Sequence, residues 1–276
     1  MPANLVSSRP AARNRDAALA AVTPPTAIAV DLGSSAIGVW AAHRGTITGP
    51  CRDAPASAGA SVRRGSIVDV DGCIAQLSEL ARRYAEPVPA GGVLVACRPV
   101  LAGASDQAAM RRVIDAVFAP SLLQFIDTVR AAAIGSGAAA GTLLIADVGA
   151  QVSELALLKD GHVIAARRSD LGTGDLALGA TTDLLSEILV RHVNDLLDSA
   201  VAPDLTVAMT RGLLLVGDGA SYPELSLALS TALRLRIHRA SAPRTAALNG
   251  AGLAAMSLLR HPRLSRPGSE PTGGPR

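Results

Sequence analysis

Aromatic side chains are scarce: Trp40, Tyr84, Phe118, Phe125 and Tyr222 are all that 276 residues contain. A core must therefore be built from Leu, Val, Ile and Ala, and the 49% hydrophobic content supplies enough of them for a sizeable one. Such filling suits sheets covered by helices. Lysine is scarcer still. Lys159 is the sole lysine among 26 basic residues, and the net charge is only +3. Several arginines (Arg9, Arg13, Arg15, Arg260, Arg263, Arg266, Arg276) lie near the two ends, where they read as solvated charge. A nucleic-acid face would interleave aromatics with a basic patch, so no nucleic-acid partner is expected. Cysteine is low and odd in number (Cys51, Cys73, Cys97), with no CxxC pair, and the five histidines have no metal-ligand spacing. A disulfide framework and a zinc site are thereby excluded; three free thiols fit a reducing cytoplasm. No apolar run approaches a membrane span, and the first 22 residues lack the uninterrupted apolar stretch of a signal peptide. A cytoplasmic protein is expected. Membrane association is at most peripheral, through a short alanine-faced helix at Asp16–Val22.

What is present alternates. Residues 1–25 and 264–276, rich in Ala, Arg, Ser, Pro and Gly, read as flexible tails around a folded region. Strand-like apolar runs occupy 27–30, 92–96, 122–126, 142–146 and 213–216. Between them, Ile74, Leu77, Leu80, Ala81 and Tyr84 fall on one helical face, as do Met110, Val113, Ile114 and Val117. The longest helix is expected over 182–200, burying Leu185, Ile188, Leu189, Val193, Leu196 and Leu197. Alternating strands and helices predict an α/β fold with mixed sheets.

One pattern occurs twice. AIAVDLGSSAIGVWAAHRGTI and LLIADVGAQVSELALLKDGHV each give a strand, Asp-x-Gly, a returning strand and a turn ending in Gly. The acid precedes that glycine by 14 positions in both copies, Asp31 to Gly45 and Asp147 to Gly161. A strand that ends in Asp-x-Gly and turns straight back exposes backbone N–H groups. Gly33 and Gly149 would let a phosphate approach closely, and Ser34 and Ser35 serve either as further donors or as turn formers. Asp31 and Asp147 would repel a bare phosphate. They make sense beside Mg²⁺, held through its water shell, or else as caps of their own turns. Two such loops face to face would clamp a nucleoside triphosphate.

This duplicated clamp resembles the superfamily of actin, sugar kinases and DnaK-type chaperones, and within it the MreB family. VDLGSSAIGVW is similar to the first phosphate loop and IADVGAQVSELAL to the second. RAAAIGSG and RTAALNGAGLAAM resemble the two linking helices, SVRRGSIVDVDGCIAQL the segment that re-enters the first lobe, and VGDGA the glycine-rich adenosine loop. The resemblance implies two RNase-H-like lobes, each a mixed β-sheet flanked by helices. Residues 26–138 would form the first lobe, rejoined by a helix at 244–260, and residues 139–243 the second. It further implies ATP and Mg²⁺ as ligands. Asp31, Gly33, Ser34, Ser35, Asp147, Gly149, Ser153, Gly217, Asp218 and Gly219 would surround the nucleotide, with Asp31 and Asp147 next to the metal and Asp147 in the catalytic set.

Departures from the family bear on activity. LGTGDLALGATTDLLSEILV runs directly from a GGD-like turn into the long helix, so the small subdomain of the second lobe is expected to be missing and that of the first reduced. Nine residues before Gly137, where the family carries the Glu or Gln that positions water, stands Thr128, a poor base. Ala150 and Gln151 replace two of three consecutive glycines, and their Cβ atoms would crowd the phosphates. Weak Mg-nucleotide binding is expected, without fast hydrolysis. The resemblance implies a cell-shape or cytoskeletal role through protein partners such as full-length MreB or cell-wall proteins, with self-association. Two other readings stay open: a DnaK-related reactivating ATPase, and a pilus-assembly type of actin-like pseudo-ATPase.

Overall fold

The computed structural model describes residues 26–51 and 60–261; the terminal segments, with the expected helix at Asp16–Val22, lie outside them. The first half opens with β1 (Ala27–Leu32), β2 (Ala36–Ala41) and β3 (Gly45–Pro50), then a small hairpin of β4 (Val62–Arg63) and β5 (Ser66–Ile67). Next come α1 (Val70–Ala81), β6 (Val93–Arg98), α2 (Ala104–Phe118), β7 (Leu122–Asp127) and α3 (Thr128–Gly135). The second half repeats the plan with β8 (Thr142–Val148), β9 (Ser153–Lys159), β10 (His162–Ser169), α4 (Thr182–Leu197), α5 (Ala202–Arg211), β11 (Leu213–Val216), α6 (Pro223–Leu233) and β12 (Ile237–Arg239). A final helix, α7 (Ala246–Arg260), ends the described chain.

Two five-stranded sheets result, with orders β3-β2-β1-β6-β7 and β10-β9-β8-β11-β12. The orders are the same order twice, antiparallel in the hairpins and parallel beyond them. The sequence repeat is thus a repeat of architecture. Even the turns match: Gly33 N–H donates to Ala36 O at 3.0 Å, and Gly149 N–H to Val152 O at 2.9 Å. Gly45 and Gly161, the paired turn glycines, both take positive φ (78° and 75°), a backbone region that Cβ disfavours.

The sheets and helices form five layers. Helices α1 and α2 cover the outer face of the first sheet, with Leu77, Leu80, Met110, Val113 and Ile114 buried against Ile28, Val30 and Leu94. Helices α4, α5 and α6 cover the outer face of the second through Leu185, Leu189, Val193, Leu205 and Leu225. Between the sheets lie α3 and α7, whose alanines meet Ala27, Ala29 and Val95 on one side and Leu143, Ile145 and Leu158 on the other. Alanine and glycine allow this middle layer to be thin. A Cβ on Gly250 would overlap Ala131 O, and one on Gly135 would overlap Ala246 O, so the two backbones touch.

Local signals set the helix starts. Asp69 caps α1 by accepting Gly72 N–H at 2.9 Å, Thr181 accepts Leu184 N–H at 3.1 Å at the start of α4, and Pro223 opens α6. Leu197 departs from expectation: it is 37% exposed, because α4 ends there and its last turn has rotated past the core. Tyr84 lies beyond the end of α1, buried, with its hydroxyl oxygen 2.9 Å from the carbonyl oxygens of Val39 and Gly45.

Candidate functional site

Strands β1 and β8 are central in their sheets, and both end in an acid at the same edge of the molecule. Asp31 and Asp147 line one cavity of about 650 Å³, together with Gly33, Ser34, Ser35, Gly149, Ala150 and Gln151 from the two hairpin turns. That volume lies in the usual range for small-molecule sites. Burial pushes the Asp31 carboxyl up to about 6. Asp147 is pushed up to about 7, by burial first and then by the charges of Asp31 and Asp218. The two acids thus share one cleft, and the charge on Asp31 adds to the cost of ionising Asp147.

The second loop is held by the turn that follows β10. Thr173 N–H donates to Gly149 O at 2.9 Å and Gly174 N–H to Ala150 O at 2.7 Å. In a trans peptide the N–H points opposite to the C=O. Anchoring these two carbonyls on the 173–174 side thus turns the N–H groups of Ala150 and Gln151 away from that turn, on a loop that itself lines the cavity. No protein acceptor pairs with either N–H among the described residues, nor with that of Ser34. Gly172 permits this close support, because a Cβ there would overlap Gly149 O and Ala150.

Gln151 lines the cavity while its side chain is buried and accepts the Arg64 backbone N–H through Oε1 at 2.9 Å. Beyond β11, Gly217 takes φ of 78° and abuts Asp147 so closely that a Cβ would overlap its Oδ1. Gly217→Ala is expected to rotate the Asp147 carboxylate and to destabilise the fold by about 1–3 kcal/mol, read as a lowered midpoint in urea unfolding. Asp218 accepts Ser35 Oγ–H at 3.1 Å and the Arg244 Nε–H at 2.9 Å, which ties the first loop to the far wall.

Three sequence candidates sit elsewhere or are engaged. Ser153 is fully buried and donates to Leu171 O at 2.7 Å; Gly219 is buried beneath the loop against Val148. Thr128 lines the cavity, but its hydroxyl donates to Arg98 O at 2.8 Å. Glu154 was not singled out for the site. It lies directly across from Asp147 in the ladder, lines the cavity, and accepts Val100 N–H at 2.6 Å. Burial, then the Asp147 charge, pushes its carboxyl well above the ordinary range. Cys97 completes the floor, its thiol pushed up by burial and then by Asp31, Asp147 and Glu154.

The cavity thus holds four carboxylates with one cation, Arg244, at its rim. A bare polyphosphate would be repelled, whereas one carrying a divalent cation would suit the cavity, because the metal would relieve Asp31 and Asp147. No cluster of three or more His, Cys, Asp or Glu side chains poised as direct metal ligands occurs among the described residues.

Solved structures share this two-lobed arrangement. MreB5 of Spiroplasma citri bound to AMPPNP superimposes with a TM-score of 0.71 at 13% identity, over 88% of this chain and 100% of that one. The chain has the actin-like ATPase fold. The ADP-bound form of MreB5 matches equally well, with a TM-score of 0.71 at 12% identity over 87% and 98% of the two chains. Another actin-like neighbour, the ethanolamine utilization protein EutJ from Carboxydothermus hydrogenoformans, gives 0.57 at 17% identity over 84% and 90%. No family model and no curated protein matches the chain. The actin-like fold places the two Asp-x-Gly hairpins on facing lobes. Among the described residues no helix is long and apolar enough to cross a membrane.

Proposed function

We infer that this chain is an MreB-like, nucleotide-binding protein of the actin-like superfamily, acting in cell shape or the cytoskeleton through protein partners. The single observation behind this reading is the pair of Asp-x-Gly turns that meet in one cavity, the second with its Gly149 and Ala150 carbonyls held by the Thr173 and Gly174 N–H groups. Asp31 and Asp147 would hold Mg²⁺ through water, and Ser34, Ser35, Ala150 and Gln151 would meet the phosphates. Gly217 and Asp218 would face the nucleoside. The magnesium ion would supply charge neutralisation for the phosphate oxygens. Hydrolysis is slow in this reading, because Thr128 stands where a water-positioning carboxylate or amide would be and its hydroxyl is engaged by Arg98 O. The MreB5 neighbours, one bound to AMPPNP and one to ADP, support nucleotide as the ligand class.

A cytoplasmic location and self-association, or binding to full-length MreB, complete the proposal. The direct passage from β10 through a 3-10 turn (Thr173–Leu178) into α4 favours a scaffold or modulator over an autonomous filament. Mg-ATP at 100 times its Kd should raise folded-state stability by about 2.7 kcal/mol, seen as a higher thermal midpoint. A midpoint unmoved by millimolar Mg-ATP, Mg-ADP or Mg-AMPPNP would remove nucleotide from this account.

A further inference from the structure

The hairpin β4–β5 belongs to the first half of the chain, rooted by Val62 and Ile67 in the core outside the first sheet. Its tip crosses to the second half. The Arg64 guanidinium forms a two-pronged pair with Asp175, Nη1 to Oδ2 at 2.9 Å and Nη2 to Oδ1 at 2.8 Å. Nη1 also reaches Gln151 O at 3.0 Å and Asp170 O, while the Arg64 backbone N–H donates to Gln151 Oε1 at 2.9 Å. Arg168 closes the set by donating to Arg64 O. Arg64 and Gly65 both take positive φ (47° and 73°), so the turn is bent specifically to present this residue.

Everything Arg64 grips belongs to the second loop or its support. Gln151 is the tip of the loop. Asp175, nine-tenths buried, also accepts Gly172 N–H at 2.8 Å and so fixes the turn whose Thr173 and Gly174 amides anchor the loop carbonyls. Burial raises the Asp175 carboxyl, yet its bonds from Arg64 and Gly172 leave it below the usual carboxylate value, so the pair is charged. The strand order gives the cavity two ends. β11 lies on one side of β8 and leads to Gly217 and Tyr222; β10 lies beyond β9 on the other side and leads to Thr173 and Gly174. Tyr222 and Pro243 give the first end an apolar wall fit for a nucleoside, whereas the second end is lined by Ala150, Gln151, Thr173 and Gly174. The outermost phosphate belongs at that second end, beside the clasp.

We propose that Arg64 is a positioning residue that holds the second phosphate loop in the shape that accepts a terminal phosphate, and so sets the preference of this cleft for nucleoside triphosphate over diphosphate. The proposal rests on the reading of the cleft as a nucleotide site. Without Arg64, Asp175 is left buried and unpaired, the 172–175 turn loses its brace, and the Ala150 and Gln151 amides are no longer aimed. A diphosphate, held by the first loop and the Gly217 side, loses little.

Titration of purified full-length protein with Mg-AMPPNP and with Mg-ADP tests this, by calorimetry, on wild type, Arg64→Ala, Arg64→Lys and Asp175→Asn. Arg64→Ala should weaken Mg-AMPPNP by about tenfold or more and Mg-ADP by less than about threefold. Arg64→Lys should restore part of the difference. Asp175→Asn should repeat the selective loss even if Arg64→Ala proves too unstable to purify. Equal losses for both nucleotides, or none, would overturn the proposal and leave nucleotide binding intact. Wild type that binds neither would overturn both.

Discussion

Gly250→Val should be the most damaging single substitution in the molecule. The α3–α7 contact leaves no room for a Cβ: one at 250 overlaps Ala131 O, and the reciprocal position at Gly135 overlaps Ala246 O. Both partners are backbone, so no rotamer change relieves the clash. The helices must separate, opening voids against Ala131, Ala132, Ala247 and Ala251 at the centre of the middle layer. Overpacking of this kind costs about 3 kcal/mol or more, which for a chain this long lowers the thermal midpoint by roughly 6–12 °C. Leu253→Val, one turn away and 55% exposed, should cost less than about 0.5 kcal/mol. Thermal melts of both variants check this. A Gly250→Val protein that melts with wild type would mean that the middle layer yields far more easily than its backbone contacts indicate.

Asp147→Asn should raise the stability of the ligand-free protein at neutral and alkaline pH while abolishing its response to Mg-nucleotide. The folded protein holds the Asp147 proton until about pH 7, whereas an unfolded aspartate releases it near the ordinary value of 3.8. Between these values the folded state binds more protons than the unfolded one, so stability falls as pH rises. The contribution is fully present below about pH 4 and lost as pH climbs through 7. Asp147 keeps some access to the solvent in the cleft, which screens the penalty, so the wild-type loss is taken as on the order of 2 kcal/mol. The amide removes this loss. At pH 8 the variant should melt roughly 4–8 °C above wild type, converging with it near pH 4. A shallower decline should persist from Asp31 and Glu154, which burial also raises. The same variant should show no midpoint rise with Mg-ATP, because the carboxylate proposed to hold the metal's water shell is gone. Stability gained as binding is lost is the usual exchange at a strained site. A variant that gains nothing at pH 8, or still responds to Mg-ATP, would contradict this account.

The architecture was readable because it is written twice. Matched spacing from Asp31 to Gly45 and from Asp147 to Gly161 became matched hairpins with the same turn hydrogen bond, and the apolar runs became β1, β6, β7, β8 and β11. Three elements left weaker traces. β12 is three residues of mixed polarity, Ile237–Arg239, at an edge where pairing with β11 replaces local pattern. β4 and β5 are two residues each and are held by what Arg64 grips, 87 and 111 positions away. In the site, the acids and glycines of the turns were legible, since their chemistry is local. Glu154 was not, because β9 is buried on both faces and its alternation says nothing about which acid meets the cavity; the partner that fixes it, Val100, is 54 positions distant. Ser153 illustrates the reverse error of proximity. One residue from Glu154 in sequence, it points to the other side of the sheet.

The last of the described helices completes the covering of the first sheet. Strands β1 and β6 are made early, yet the face they turn inward is covered by α7, whose first residue comes about 120 positions after the end of β7. At ordinary elongation rates that interval is roughly 6 to 25 seconds. During it, Ala27, Ala29 and Val95 present an apolar surface that only the short helix α3 is there to shield. A nascent chain of this design leaves the inner face of its first sheet half covered until α7 emerges, and in that interval a holding chaperone has a surface to bind.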